Sequence, residues 1–182
     1  VESADHAATI GLMLRLHPET ERIVAIMDST TTGKALRTEL EALATTLTGS
    51  VAIESWDAFA PEELAHKVAA LPEKTLVMLM PYASSHAGRF IAHADIARLI
   101  SENSAVPVYA SWDFYLGHGI VGGNLTTAKA QGIAAGEILA RLLNGEQASD
   151  IPVRRRLPGN NLFDYPQLAR FAIPKSRLPE YS

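Results

Sequence analysis

Short apolar runs alternate with amphipathic segments along most of this chain, and this alternation limits the possible folds more than any other feature. The apolar runs lie at Arg22–Asp28, Val51–Ser55, Thr75–Met80 and Val106–Ala110. Each run has the length of a buried strand, and the segments between them repeat Leu, Ile and Val at helical spacing. Strands that alternate with helices predict an α/β fold with a doubly wound parallel sheet.

Residues at the ends of the amphipathic segments mark where the helices stop. The first helix is predicted to end at His17, because the proline that follows forces this residue out of the helical conformation. Gly49 is predicted to end the second helix. A longer helix is predicted from about Thr126 to Leu143, with Gly145 as part of a left-handed cap.

The chain changes character after residue 150. An arginine triplet, Arg154–Arg156, lies between two prolines, and the repeat of strands and helices stops there. We interpret residues 1–150 as one α/β lobe and residues 151–182 as a tail that leaves it. The tail is predicted to contain a short strand near Leu162 and one helical turn around Gln167 to Phe171.

The composition removes several classes of function. The chain has 182 residues, a formal net charge of −4 and no cysteine. The missing cysteines exclude a thiol nucleophile, a disulfide and a cysteine-based zinc site, and the scattered Lys and Arg residues form no basic footprint for nucleic acid. No apolar run approaches the roughly 20 residues of a membrane span. We therefore expect no cofactor, no nucleic-acid partner and a small neutral or polar solute as the ligand.

The first candidate binding loop follows the first strand. In a parallel α/β sheet, ligands bind at the carboxyl ends of the strands, and four hydroxyl residues, Ser29, Thr30, Thr31 and Thr32, lie there at the start of a helix. The loop is not a phosphate-binding P-loop, because Asp28 stands where that motif has Gly and would repel a phosphate. The hydroxyls are predicted either to contact a polar ligand or to cap the helix.

The loop after the third strand supplies two further candidates, Tyr82 and Arg89. Arg89 suits an anionic group of a ligand, since a guanidinium binds carboxylates through two hydrogen bonds. The alternative for Arg89 is an ion pair with a surface acid.

The loop after the fourth strand is the richest in recognition chemistry. Trp112, Asp113, Tyr115 and His118 combine flat apolar faces with charged and hydrogen-bonding groups, a mixture that suits an organic ligand. Trp112 and its neighbour Phe114 could also be packing residues. For Phe114 we favour packing, and for Trp112, Asp113 and His118 we favour a role in binding.

The glycines of the same loop match a nucleotide-binding sequence motif. Gly117, Gly119 and Gly122 fit G-x-G-x-x-G, and Glu137 lies near the distance of a ribose-binding acid. The context argues against a nucleotide, because the glycines do not follow a strand directly and the acid falls within a helix. The sequence also contains no recognisable nucleophile–base motif and no metal-binding motif, so we expect no catalytic residues.

Three stretches resemble one known family. They are VPVYASWDFYLGHGIVGGNLTTAKAQGIAAGEILARLLNGEQASDIPV, NLFDYPQLARFAI and LHPETERIVAIMDSTTTGKALRTEL. They resemble the ABC-transporter substrate-binding-like proteins, especially the periplasmic sensor regions of bacterial histidine kinases and diguanylate cyclases.

The resemblance implies a type I periplasmic-binding-protein architecture, in which a ligand lies between two doubly wound lobes. The chain would be the second lobe, the first lobe would precede Val1, and a tail from about Asn161 would cross back to it. The start at Val1 without an initiator Met leads us to expect a processed or excised fragment. A membrane helix is expected soon after Ser182 in a sensor protein.

The resemblance also implies a function and the residues that carry it. Ser29 to Thr32, the Tyr82 to Arg89 loop and Trp112 to His118 would line the cleft. The chain would be a non-enzymatic, extracytoplasmic solute-sensing domain, tethered to the membrane as part of a receptor and acting by lobe closure. The alternatives are the binding component of an ABC transporter, which would meet a permease, and a small nucleotide-binding α/β enzyme. A homodimer that buries an orphaned edge of the lobe is also possible.

Overall fold

A single mixed sheet with helices on both faces forms the protein. The computed structural model describes residues 4–46, 51–57, 59–85, 88–154, 159–180 and 182. The strands are β1 (Arg22–Ile26), β2 (Ala52–Trp56), β3 (Thr75–Leu79), β4 (Val108–Ala110), β5 (Gly122–Leu125) and β6 (Asn160–Phe163). The helices are α1 (His6–Leu16), α2 (Thr31–Ala44), α3 (Pro61–Ala69), α4 (His93–Asn103), α5 (Ala128–Leu143) and α6 (Tyr165–Arg170).

The strand order is β2-β1-β3-β4-β5-β6, and the first five strands are parallel. The predicted doubly wound α/β fold is therefore confirmed. β5 was not predicted, because its sequence, Gly-Gly-Asn-Leu, lacks both the apolar alternation and the β-branched residues that indicate a strand. Its pairing with β4 and β6 makes it a strand despite its weak local preference.

Alternation along the strands divides the apolar residues between two cores. On β1, Val24 and Ile26 face the core formed with α3 and α4, whereas Ile23 and Ala25 face the core formed with α1 and α2. β3 divides its residues in the same way. Successive side chains of a strand point to opposite faces, so a sheet covered on both sides produces strands that are apolar throughout.

Several helix ends match their sequence signals. α1 ends at Leu16 with His17 as its C-cap, as predicted. Gly145 follows the long helix α5 with a φ of 89°, in the left-handed conformation expected of a glycine cap. The predicted end of α2 at Gly49 lies outside the described residues, as do His86 and Ala87 of the loop after β3.

The segment after residue 150 returns to the same sheet. β6 pairs antiparallel with β5, which confirms the short strand predicted near Leu162. The predicted helical turn is α6, and its Leu168 is buried in the core beneath α1 together with Ile173. The crossing of residues 151–182 toward another lobe stays a prediction.

A half-buried histidine at the opposite edge of the sheet makes stability depend on pH. His17 Nε2 lies 2.8 Å from the Tyr109 hydroxyl oxygen, and burial lowers the pKa of His17 below its ordinary value of 6.5. Below pH 6.5 the unfolded chain therefore binds more protons than the folded chain at this site. The free energy of unfolding is expected to decrease as the pH falls from 7.5 through 6.5 toward the lower pKa of the folded state.

Urea denaturation at pH 7.5 and 5.5 measures this effect. His17→Gln, which keeps a polar group beside Tyr109 without a titrating ring, is expected to lose less stability between the two pH values than the wild type. The exposed His66 serves as a matched control, and His66→Gln should keep the wild-type difference. An unchanged difference in His17→Gln would contradict the assignment.

Candidate ligand-binding site

The strand order predicts a crevice at the carboxyl edge of the sheet. The chain passes from β1 outward to β2 and then back to β3 on the other side of β1. Between β1 and β3 the connections therefore leave in opposite directions, which is the topological switch point where open α/β sheets bind ligands. The loops that begin at Asp28 and at Pro81 meet there.

Asp28 joins these two loops. Its Oδ2 accepts a hydrogen bond from the backbone N–H of Ala83 at 3.0 Å. Its Oδ1 accepts one from the backbone N–H of Thr30 at 3.1 Å and another from the Thr30 hydroxyl. Asp28 is buried, with 4% of its surface exposed. The carboxylate therefore holds the floor of the crevice together.

The four hydroxyl residues divide between the two predicted roles. Thr30 is the N-cap of α2, and its hydroxyl oxygen accepts a hydrogen bond from the N–H of Gly33 at 3.2 Å. Thr31 and Thr32 are exposed, and Ser29 is half-buried. Capping therefore accounts for Thr30, and ligand contact by Ser29, Thr31 and Thr32 stays a prediction.

Helix α2, which begins within this row of hydroxyls, closely approaches the segment that follows β1. A Cβ atom on Gly33 would lie 1.8 Å from the carbonyl oxygen of Asp28. Only glycine permits this approach, so Gly33 sets the position of the α2 N-terminus beside the crevice.

Tyr82 and Tyr115 lie at the predicted edge, but their side chains point inward. Each is at most 2% exposed. The Tyr115 hydroxyl donates to the carbonyl oxygen of Met80 at 2.9 Å and accepts from the N–H of Tyr82 at 3.2 Å, while the Tyr82 hydroxyl donates to the carbonyl oxygen of Phe59 at 2.8 Å. Burial raises the pKa of both hydroxyls. These tyrosines hold the loops in place, and ligand contact by their side chains stays a prediction.

Aromatic rings form a cluster beside the crevice. Phe114 is 38% exposed and stacks on His93, with ring centroids 4.4 Å apart, and on Trp112 at 6.3 Å. Trp112 is only 8% exposed and packs against His6. Phe114, for which we favoured packing, is thus the more exposed of the two rings, because Trp112 follows the buried end of β4 whereas Phe114 lies in the 3-10 turn after it. Ligand contact by Trp112 stays a prediction.

His93 is a candidate that the sequence interpretation missed. It opens α4, and its Nδ1 lies 3.5 Å from the Tyr115 hydroxyl oxygen. Partial burial lowers the pKa of His93 below 6.5, so its ring is neutral at pH 7. A signal was present, because the helix after β3 must begin at the carboxyl edge where the ligand is expected.

The three remaining predicted residues lie in different surroundings. The Asp113 carboxylate accepts a hydrogen bond from the backbone N–H of Ala128 at 3.2 Å, at the start of α5. Arg89 is exposed, and within the described part of the chain no carboxylate pairs with its guanidinium. His118 contacts Arg98 at 3.0 Å and lines a separate depression with residues of α4 and α6. The geometry does not bring His118 together with the others.

Close packing explains the glycines of the G-x-G-x-x-G match. A Cβ atom on Gly119 would lie 2.0 Å from the Ser101 hydroxyl oxygen, and one on Gly122 would lie 2.1 Å from the carbonyl oxygen of Leu162. Gly117 has a φ of 79°. These glycines allow the loop to run against α4 and β6, so a nucleotide is not needed to account for them.

Solved structures share this arrangement of strands and helices. A substrate-binding protein with adhesive properties from Clostridium difficile, in a ligand-free, open structure, superposes with a TM-score of 0.69 at 18% identity, and the match covers 98% of this chain and 59% of that one. The chain has the fold of an ABC substrate-binding-like lobe.

Two further structures agree with this fold. An ABC domain from Streptococcus pneumonia in complex with L-Trp matches the lobe with a TM-score of 0.66 at 18% identity, over 93% of this chain and 56% of that one. A conserved domain protein from Vibrio cholerae matches with a TM-score of 0.63 at 14% identity, over 94% and 55%. The lobe therefore spans less than two thirds of each of these chains. It matches no protein-family profile and no curated protein.

Proposed function

We propose that the lobe is one half of an extracytoplasmic solute-binding domain that belongs to a membrane-bound signalling protein, a histidine kinase or a diguanylate cyclase. A small organic solute would lie between the carboxyl edge of this lobe and a second lobe. The topological switch point carries the proposal, because Thr31, Thr32 and Arg89 are exposed and Phe114 is partly exposed in the loops and helix start that follow the strands at this edge. Among the described residues no carboxylate pairs with Arg89.

The site chemistry favours a solute with both an apolar and a polar part. Phe114 offers a flat face, and the neutral ring of His93 supports that face from behind. Arg89 and the exposed Thr31 and Thr32 offer donors for an anionic or hydroxylated group. The L-Trp bound by the Streptococcus pneumonia domain combines these two features.

Signalling would follow from closure of the two lobes. A ligand that contacts both lobes stabilises the closed state by the difference between its affinities for the closed and open states. No bond is broken in this step, so the lobe itself needs no catalytic residue. Of the helices in the described part of the chain, none combines the length and apolar character of a membrane span.

A solute-capturing component of an ABC transporter is the second candidate. The similarity in fold to the Clostridium difficile substrate-binding protein favours it. The sequence that surrounds this chain in its gene distinguishes the two candidates. A following membrane helix and a kinase or cyclase domain would support the sensor, whereas a lipoprotein signal would support the transporter.

A thermal-shift screen tests solute binding. The 182-residue chain and a version extended N-terminally through the preceding sequence would be screened against amino acids, organic acids, purines and nucleotides. At a ligand concentration of 100 times Kd, binding adds about 2.7 kcal/mol to the stability of the folded state. Stabilisation of the extended protein alone by a small solute is expected. Stabilisation of the short chain by a nucleotide would favour a nucleotide-binding enzyme instead.

Phe114→Ala is expected to weaken binding of the solute found in this screen by roughly tenfold or more, because an aromatic contact in a binding site is lost. Stability should change little, since Phe114 is partly exposed. Isothermal titration calorimetry measures the affinity. Phe90→Ala is the matched control, because Phe90 is 75% exposed and has no ring partner in the described residues. Equal affinity of Phe114→Ala and the wild type would remove Phe114 from the site.

A further inference from the structure

A polar depression lies apart from the switch point, between α4, the loop that follows the 3-10 turn and α6. Its volume is about 260 Å³, and its walls come from residues 98–102 of α4, residues 117–119 of the loop and residues 167–170 of α6. This volume is below the roughly 300 to 1,000 Å³ of pockets for drug-sized ligands. The depression therefore suits a small polar molecule.

Arg170 presents a guanidinium group to this depression in a fixed position. Its Nη1 donates to the carbonyl oxygen of Ser101 at 3.0 Å, and its Nη2 donates to the carbonyl oxygen of Ser104 at 2.7 Å. The same group lies over the ring of Phe171, 4.8 Å from the centroid. These contacts bind the last carbonyl groups of α4 and hold the positive charge of Arg170 at the wall of the depression.

Arg98 supplies a second guanidinium group. Its Nη2 lies 3.0 Å from Nδ1 of His118, and it must be the donor, because a guanidinium has no acceptor atom. The proton of the His118 ring is therefore on Nε2, which makes this atom a further donor. Asp95 contacts Arg98 at 3.5 Å with both side chains more than half exposed, so this ion pair is weak.

The Ser101 hydroxyl is the third polar group at this place. Ser101 is only 3% exposed, yet it lines the depression. Among the described residues its hydroxyl has no hydrogen-bond partner, although buried polar groups rarely lack one. A Cβ atom on Gly119 would lie 2.0 Å from the hydroxyl oxygen, so the glycine keeps this oxygen uncovered. A molecule in the depression can reach it.

Positive charge exceeds negative charge around the depression. Glu102 carries its one carboxylate and is exposed. In the part of the chain that the structure describes, Glu102 forms no ion pair with Arg98 or Arg170, and Arg170 pairs with no other acid. Two guanidinium groups that face one small volume suit the oxygen atoms of an anion.

We propose that this depression binds a small oxyanion, through a carboxylate or phosphate group held by Arg98, Arg170 and the Ser101 hydroxyl. The site lies entirely within the lobe, so it does not depend on the proposed function or on a second lobe. Residues 117–119 follow the 3-10 turn that carries Phe114, so the bound anion would contact the loop that leads to the proposed solute site.

NMR titration of the 182-residue chain with sodium phosphate and with sodium succinate tests the site, with ionic strength held constant by sodium chloride. We expect saturable shifts of the amide signals of residues 98–104, 117–119 and 167–170, with a Kd of about 1 mM or below for one of the two anions. Tighter binding of phosphate or of succinate identifies which group the site takes. Shifts that do not saturate with either anion would overturn the proposal.

Arg98→Gln is expected to raise this Kd at least about tenfold, because hydrogen bonds between charged groups are lost. Arg98 is half exposed, so the fold should be kept. Arg37→Gln is the matched control, since it makes the same change in charge on α2, where Arg37 pairs with Glu41 and Asp57. Equal weakening by both variants would mean attraction by net charge alone and would overturn the site.

Two further variants should change the affinity in opposite directions. Ser101→Ala removes the hydroxyl and should raise the Kd roughly threefold or more, whereas Glu102→Gln removes the nearby negative charge and should lower it by about the same factor. An unchanged Kd in both variants would contradict the assignment. Solute binding by the N-terminally extended protein is a separate measurement, and its failure would leave the oxyanion site intact.

Discussion

Gly122→Ala is expected to lower the free energy of unfolding by about 3 kcal/mol or more, because overpacking and an unfavourable backbone conformation act together. The new methyl group would lie 2.1 Å from the carbonyl oxygen of Leu162 and 2.9 Å from the Cα of Phe163. Gly122 also has a φ of 144°, which residues with a Cβ rarely adopt. These two nearest atoms belong to the backbone of β6, so the clash cannot be relieved by moving a side chain.

Urea denaturation followed by circular dichroism measures this loss. The expected result is a lower midpoint of unfolding and release of β6 from the edge of the sheet. Gly11→Ala is the matched control, since its Cβ would meet no atom within 4 Å, and it should raise stability by up to about 1 kcal/mol. A stability of Gly122→Ala within the error of the wild type would show that β5 and β6 are not paired as described.

Asp28→Ala is expected to have the second large effect, a loss of about 3 kcal/mol, because hydrogen bonds to a buried carboxylate are removed and their donors are left without partners. The backbone N–H groups of Thr30 and Ala83 are the donors affected. Both belong to the loops of the crevice. The variant should therefore also weaken binding of any solute that uses this edge.

A conservative variant and a matched control test whether the lost hydrogen bonds of Asp28 cause the loss of stability. Asp28→Asn keeps one acceptor oxygen and should recover part of the stability. Asp95→Ala removes a carboxylate that is 69% exposed on α4, and it should change the free energy of unfolding by less than about 0.5 kcal/mol. Wild-type stability of Asp28→Ala in the same urea titration would exclude the bridging role of this carboxylate.

Most of the lobe could be predicted because its strongest signals are local. β1 to β4 are apolar and bounded by polar or turn residues. The predicted first and last residues of each strand agree with the observed ones to within two residues. The predicted position of the binding edge needed only the rule that parallel strands bind ligands at their carboxyl ends. The hydroxyl row at the start of α2 and the loops after β3 and β4 were found in this way.

Exposure within those loops could not be predicted from the sequence. Trp112, Phe114 and Tyr115 are aromatic neighbours, and only the 3-10 turn decides that Phe114 alone of the three is exposed. His93 joins Phe114 from a helix 21 positions earlier in the chain. Such contacts between residues far apart in the sequence depend on how α4 packs on the sheet.

The sequence by itself determined the α/β class, the order of the first four strands along the chain and the loops that surround the site, because burial periodicity and turn residues act over a few residues. Only the tertiary structure decided that Gly122–Leu125 is a strand, that β6 returns antiparallel beside it and that Ala134 is the one buried residue of α5. Each of these depends on contacts between segments far apart in the chain, which no local pattern records.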